Sequence, residues 1–194
     1  MQQRISSWMM RIALGAACVI GACPARAFVL DINAFYYSDS FKQSTQETQT
    51  RIFGDVMLGL AIDKKGLWVV GWNVGYVSAT DQGATTDTYT VTEMGPKFGL
   101  FLDKERVYGL WATYNLTVSG TYSPGGGTAE TWRGTSLKVE LGVTPALDTE
   151  MFAGVKLIYH SETFNESLIG STNYSQVAYN RAFIYPSLNF SMRF

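Results

Sequence analysis

From residue 28 to the C-terminus, apolar and polar side chains alternate with a period of two, and the pattern restarts eight times. That period belongs to β-strands, whose successive side chains point to opposite faces. The last run shows it plainly. Phe194, Met192, Phe190, Leu188, Pro186 and Ile184 share one face, while Arg193, Ser191, Asn189, Ser187, Tyr185, Phe183 and Arg181 share the other. Upstream runs split the same way: Leu30, Ile32, Ala34 and Tyr36 oppose Asp31, Asn33, Phe35 and Tyr37. In the fifth run Tyr108, Leu110, Ala112, Tyr114, Leu116 and Val118 oppose Gly109, Trp111, Thr113, Asn115, Thr117 and Ser119. A sheet with one wholly apolar face must close on itself or pack on a second layer. In hydrocarbon only closure works, because lipid cannot satisfy the backbone groups of an open edge. The expected fold is all-β: an eight-stranded antiparallel transmembrane β-barrel.

Composition narrows the choice. Charged residues make up 16% of the chain, against about 25% in soluble domains. Yet no apolar run after the first 30 residues reaches the ~20 residues of a membrane helix. Alternating strands dilute hydrophobicity by half, which reconciles the two facts. A secreted β-sandwich also alternates, but its strands are usually shorter than these ~10-residue runs. The connections support the barrel. Asp63–Gly66, Asp103–Arg106 and Thr144–Thr149 read as tight turns, and longer polar stretches run from Ser38 to Thr50, Ala79 to Thr86, Ser123 to Thr128 and Glu162 to Gln176. Short periplasmic turns alternating with longer outer loops are the habit of outer-membrane barrels, and an even strand count is expected to put both termini on the periplasmic side.

The N-terminal segment reads as a signal peptide over residues 1–27, with the barrel domain over residues 28–194. Arg4 and Arg11 form a positive region, Ile12–Ala22 an apolar one, and Ala25-Arg26-Ala27 a cleavage site immediately before alternation begins. Both cysteines, Cys18 and Cys23, precede that cut, so disulfides and cysteine chemistry are not expected in the mature chain. A competing reading has Cys23 lipidated, but Gly21 and Pro24 make a poor lipoprotein box. Losing three arginines with the signal takes the formal charge from −1 to −4. No basic block is present, so nucleic acid is not an expected partner.

The inward faces carry charges of both signs: Asp31, Arg51, Asp55, Glu93, Lys97, Lys138, Glu140, Lys156, His160, Glu162, Arg181 and Arg193. An eight-stranded barrel is only wide enough for its own side chains. Charges there must pair, because an unpaired charge in low dielectric is costly. The expectation is a polar network that largely plugs the lumen. The alternative is a narrow path for ions or small solutes, for which inward glycines such as Gly71, Gly99, Gly109 and Gly142 leave space. No metal-ligand spacing, phosphate loop or nucleophile elbow is present, so no cofactor or metal is expected. Rings near the connections read as membrane-interface girdles: Trp68 and Tyr108 inside, Tyr76, Tyr89, Tyr122, Tyr159 and Phe164 outside.

On these residues the chain resembles the small outer-membrane β-barrel group, of the OmpA transmembrane-domain and OmpX kind, over residues 28–194. The most specific part is the end. Phe190, Met192 and the terminal Phe194 resemble the signal that the barrel-assembly machinery reads in that group. The resemblance implies a bacterial outer-membrane location, contact with outer-membrane lipid and lipopolysaccharide, a monomer, and a structural or surface-interaction role. A second alternative is a lipid A-modifying enzyme. His160-Ser161 is similar in part to a His-x-Ser motif in small barrels of the lipid A deacylase family. There the two residues share a face; here they are adjacent, and strand pleating separates them. The chain is therefore not expected to be an enzyme.

Overall fold

The computed structural model describes residues 27–42, 46–170 and 173–194; residues 1–26 of the expected signal segment, Cys23 among them, lie outside these. Eight strands follow in chain order: β1 (Phe28–Lys42), β2 (Gln46–Ala61), β3 (Trp68–Gln82), β4 (Thr86–Phe101), β5 (Tyr108–Ser123), β6 (Glu130–Val143), β7 (Met151–Ile169) and β8 (Ser175–Arg193). Each pairs antiparallel with its neighbour, and β1 pairs with β8, so the sheet closes into a barrel. Alternating side chains follow from that closure. Leu58, Trp72, Val74, Leu141, Leu157 and Ile184 are exposed on the outside, while Asp31, Asp55, Lys97 and Glu140 are buried within. An outer face this apolar, on a barrel with no open edge at its base, is the surface of a transmembrane β-barrel.

The strands are longer than the sequence pattern suggests. The β1–β2 ladder runs to Lys42↔Gln46, through the stretch expected to be a loop after Ser38. The β7–β8 ladder likewise continues past Glu162 to Ser167↔Ser175. Three of the four expected long loops are mostly strand; only Ser123–Thr128 is mostly loop, between the end of β5 and the start of β6. A membrane crossing needs only about 9–11 strand residues. Beyond it the outer face no longer needs to be apolar, so the apolar–polar period fades although backbone pairing continues.

The opposite end is closed by two turns of shared design. In 62–67, Asp63 accepts from the backbone N–H of Lys65 and Trp68 (3.1 and 2.7 Å), and Gly66 takes φ 66°. In 102–107, Asp103 accepts from Val107 and Tyr108 (3.0 and 2.7 Å), and Arg106 takes φ 62°. An aspartate side chain stands in for a turn acceptor in both.

Irregularities fall where the sequence strains the ladder. Pro96 faces Trp72 on the β3 side, but on the β5 side pairing skips from Met94↔Thr117 to Lys97↔Thr113. Pro186 faces Leu157 on β7 and lies past Ala34↔Leu188, where the β1–β8 ladder stops. Proline lacks the ladder N–H, so it settles beside an interruption. A second shift, between Asn115 and Val118, reverses the phase of β5. Leu116 and Thr117 both face out, and Val118 is buried inside, not on the lipid face as its alternation with Leu116 suggests. A bulge puts one extra residue on a strand, which flips every side chain after it.

Candidate functional site

The inward side chains sort into layers along the barrel axis. At the turn end Val29, Met57, Ala61, Val69, Phe101 and Trp111 form an apolar cluster. Toward the loop end Phe53, Val77, Tyr89, Val91, Val118, Trp132, Ile158, Phe164 and Tyr185 form a second, with Phe35, Tyr122 and Phe183 against it. Tyr89 and Phe164 were expected in the outer girdle and are instead buried in this layer. Tyr76 and Tyr159, one step out of phase with those two, do face outward. Nearness to a loop could not separate these cases, because strand parity decides them.

Between the clusters lies an ionic network built from six strands. Lys97 Nζ is 2.7 Å from Glu140 Oε1, 3.2 Å from Asp31 Oδ1 and 3.3 Å from Asp55 Oδ1. Lys156 Nζ is 2.8 Å from Asp31 Oδ1 and 3.1 Å from Glu140 Oε2. Asn33 donates to Asp55 (2.9 Å), and Asn189 donates to Asp31 (2.9 Å). Lys138 ion-pairs with Glu93 and stands 3.6 Å from Asp55 Oδ2. These groups are almost wholly removed from solvent. Buried charges persist only when paired and hydrogen-bonded, and this arrangement meets both conditions for the lysines.

The network continues upward to His160. Its Nε2 is 3.1 Å from Glu93 Oε2 and 3.7 Å from Glu162 Oε1. Ser136 Oγ donates to Glu93 and receives a bond from Asn115 (2.8 Å). Tyr89 OH donates to Glu162 Oε2. Ser136, Tyr89 and Asn189 were not singled out from the sequence as members of this network. Phase alone would have placed them inside, but phase does not say which neighbour a side chain meets.

Two expected members stand apart. Arg51 pairs with Asp81 at 2.7 Å and donates to Thr50 O and Thr80 O, at the loop-end mouth. Arg181 lies over the Tyr89 ring at 3.9 Å. Arg51 lies at the mouth, beyond reach of the buried acids, whereas Arg181 stands opposite Glu162 in the β7–β8 register but turns onto the Tyr89 ring and into the mouth. A cavity of about 310 Å3 there is lined by Asp81, Asp87, Tyr89, Tyr122, Trp132 and Arg181, among others. Arg193 sits at the opposite end, where it donates to Gly66 O (2.9 Å) and packs over Phe101.

The inward glycines do not leave empty space. A Cβ at Gly99 would come within 2.6 Å of the Trp111 ring, and one at Gly142 within 2.8 Å. With Gly109 they house the Trp111 indole, and Lys156 Nζ stands 3.9 Å from its centre. That contact adds cation–π attraction to the ion pairs of Lys156.

At the C-terminus, Phe194 is exposed, and its backbone exchanges two hydrogen bonds with Phe28 (3.0 and 2.9 Å). Phe190 and Met192 lie opposite Ile32 and Leu30 across the β1–β8 seam. His160 is buried inside the barrel, while Ser161 sits on the other face of β7.

A closed antiparallel barrel with an apolar exterior and an ionic interior defines the class: the chain is an eight-stranded transmembrane β-barrel. Among solved structures it is similar to the crystal structure of Neisserial surface protein A, at 16% identity over 87% of this chain and 97% of that chain, with a TM-score of 0.45. No protein-family profile matches the chain, and no curated protein sequence matches it.

Proposed function

We propose that the chain is a monomeric bacterial outer-membrane barrel with a plugged lumen, acting structurally or as a surface-interaction protein rather than as a pore. The observation that carries the reading is the lumen's layering: two apolar clusters flank a network in which Lys97, Lys138 and Lys156 are each held by buried carboxylates. An ion crossing it would have to part these pairs in a low-dielectric interior. The loop-end hairpins present a polar rim suited to lipopolysaccharide headgroups. The exposed Phe194 beside Phe28 suits a terminal signal for the assembly machinery. The opposite faces of His160 and Ser161 argue against the acyl-hydrolase alternative, since a nucleophile must reach its base at hydrogen-bond distance.

Planar-bilayer recording of the purified barrel tests this reading. Baseline current is expected; steady openings would establish the narrow-channel alternative in its place. Incubation with lipopolysaccharide followed by mass spectrometry should show every acyl chain retained. Loss of a chain that depends on His160 would make the protein an enzyme.

A further inference from the structure

The charge balance of the buried network is uneven. Five carboxylates (Asp31, Asp55, Glu93, Glu140 and Glu162) are linked to three lysines and His160. With neutral imidazole, two negative charges have no ammonium to match them. One carboxylate stands without any lysine. Glu162 has no lysine within ion-pair distance; its hydrogen-bonding and ionic neighbours are the Tyr89 hydroxyl and the imidazole, and Arg181, opposite it on β8, lies over the Tyr89 ring and makes no ion pair with Glu162. Its Oε1 is buried without a hydrogen-bond partner and lies on the His160 side.

We propose that Glu93, His160 and Glu162 form a binding site for one divalent transition-metal cation of the zinc class. The ligands are His160 Nε2 and one oxygen from each carboxylate. Their ligand atoms all lie within 4.8 Å of one another. Zinc bonds of about 2.0 Å to nitrogen and oxygen set a tetrahedral edge of about 3.3 Å. The observed separations of 3.1 and 3.7 Å bracket that edge. A divalent cation also supplies Glu162 with the close positive partner that no lysine provides. The imidazole selects against magnesium and calcium, which prefer all-oxygen shells.

The surroundings suit a metal. Tyr89 holds the distal oxygen of Glu162, which leaves Oε1 free to coordinate. Lys138 and Ser136 hold Glu93. Such outer partners orient metal-binding carboxylates. Tyr89 also lines the mouth cavity, so the site lies one side chain below solvent. Binding requires a lone pair on His160 Nε2. Any proton on that nitrogen leaves to solvent as the metal–nitrogen bond forms, so affinity falls as pH falls.

The test uses the full barrel in detergent, stripped with EDTA. Zinc chloride and magnesium chloride are titrated in parallel by calorimetry, and bound metal is counted by mass spectrometry after gel filtration. One zinc per chain is expected, with micromolar affinity or better, weakening toward acid pH, and with magnesium far weaker. Glu162→Gln and His160→Gln should each weaken zinc about tenfold or more. Asp81→Asn, at the mouth, should leave it unchanged. Heat-modifiable migration on gels checks that each variant is folded. If a variant does not fold, cobalt(II) added to the unaltered protein decides. A visible band of tetrahedral or five-coordinate strength supports the site; a spectrum like that of the aqueous ion overturns it. Failure of zinc to bind, binding that survives both substitutions, or equal binding of magnesium also overturns it.

Discussion

The two ends of the buried network solve the same problem unequally. Around Lys97 and Lys156, three carboxylates share two ammonium groups, and Asn33 and Asn189 supply further donors. Around His160, two glutamates share one lysine, an imidazole and two hydroxyls. Each end has one carboxylate more than it has lysines, but at the first every carboxylate is held by an ammonium group, whereas at the second Glu162 is held by none. Buried polarity inside a barrel is therefore not one uniform filler. One end has the character of a structural clamp, and the other leaves a buried glutamate without an ammonium partner.

Substitutions at each end should separate the two. The largest effect is expected from Lys97→Met, which leaves Asp31, Asp55 and Glu140 without their shared cation; such losses cost about 3–5 kcal/mol. Urea unfolding followed by tryptophan fluorescence measures it. A loss below about 1 kcal/mol would show that the lysine end is not the clamp described. Gly75→Ala comes next. A Cβ there would sit 2.6 Å from Glu93 Oε1 and 3.0 Å from Lys138 Nζ, displacing the pair that joins the two ends. Overpacking of this sort costs about 1–3 kcal/mol, read from the same unfolding curves.

Glu162→Gln should change the stability of the metal-free barrel by less than about 1 kcal/mol in either direction. It removes a charge with no ammonium partner and keeps an acceptor for Tyr89. A drop as large as that of Lys97→Met would erase the distinction between the ends. The smallest effect lies outside both. Partial burial would raise the pKa of the Asp103 carboxyl, but hydrogen bonds from the Val107 and Tyr108 backbone outweigh that and hold it below its ordinary value. Its contribution is therefore present above the ordinary aspartate range and is lost as pH falls through the lowered value. Protection of the Val107 and Tyr108 amides, measured against their intrinsic exchange rates, should fall on acidification. Asp103→Asn should blunt that pH dependence while leaving the network ends untouched.

Much of the barrel was legible in the residues. Strand number and inward phase followed from the period, and β1 begins at Phe28, where alternation starts. Legibility failed at the loop end of the barrel. There Ser38–Lys42 and Thr163–Ile169 lose their contrast yet remain paired strand. It failed again at Val118, because a bulge leaves no mark in the alternation until the phase has already changed. Of the candidate charges, Asp31, Asp55, Glu93, Lys97, Lys138, Glu140, Lys156 and His160 do come together, whereas Arg51 and Arg181 sit at the mouth.

Away from the β5 bulge, the sequence by itself determined which residues face lipid and which face inward, because side-chain direction in a strand is a local consequence of backbone geometry. Only the tertiary structure decided who meets whom. Asp31 and Lys156 are far apart in the chain and 2.8 Å apart in space, and Trp111 fills the room that three glycines on three strands provide. The reason is register: the stagger between strands on opposite walls is set by closing the whole ring, and no local pattern encodes it.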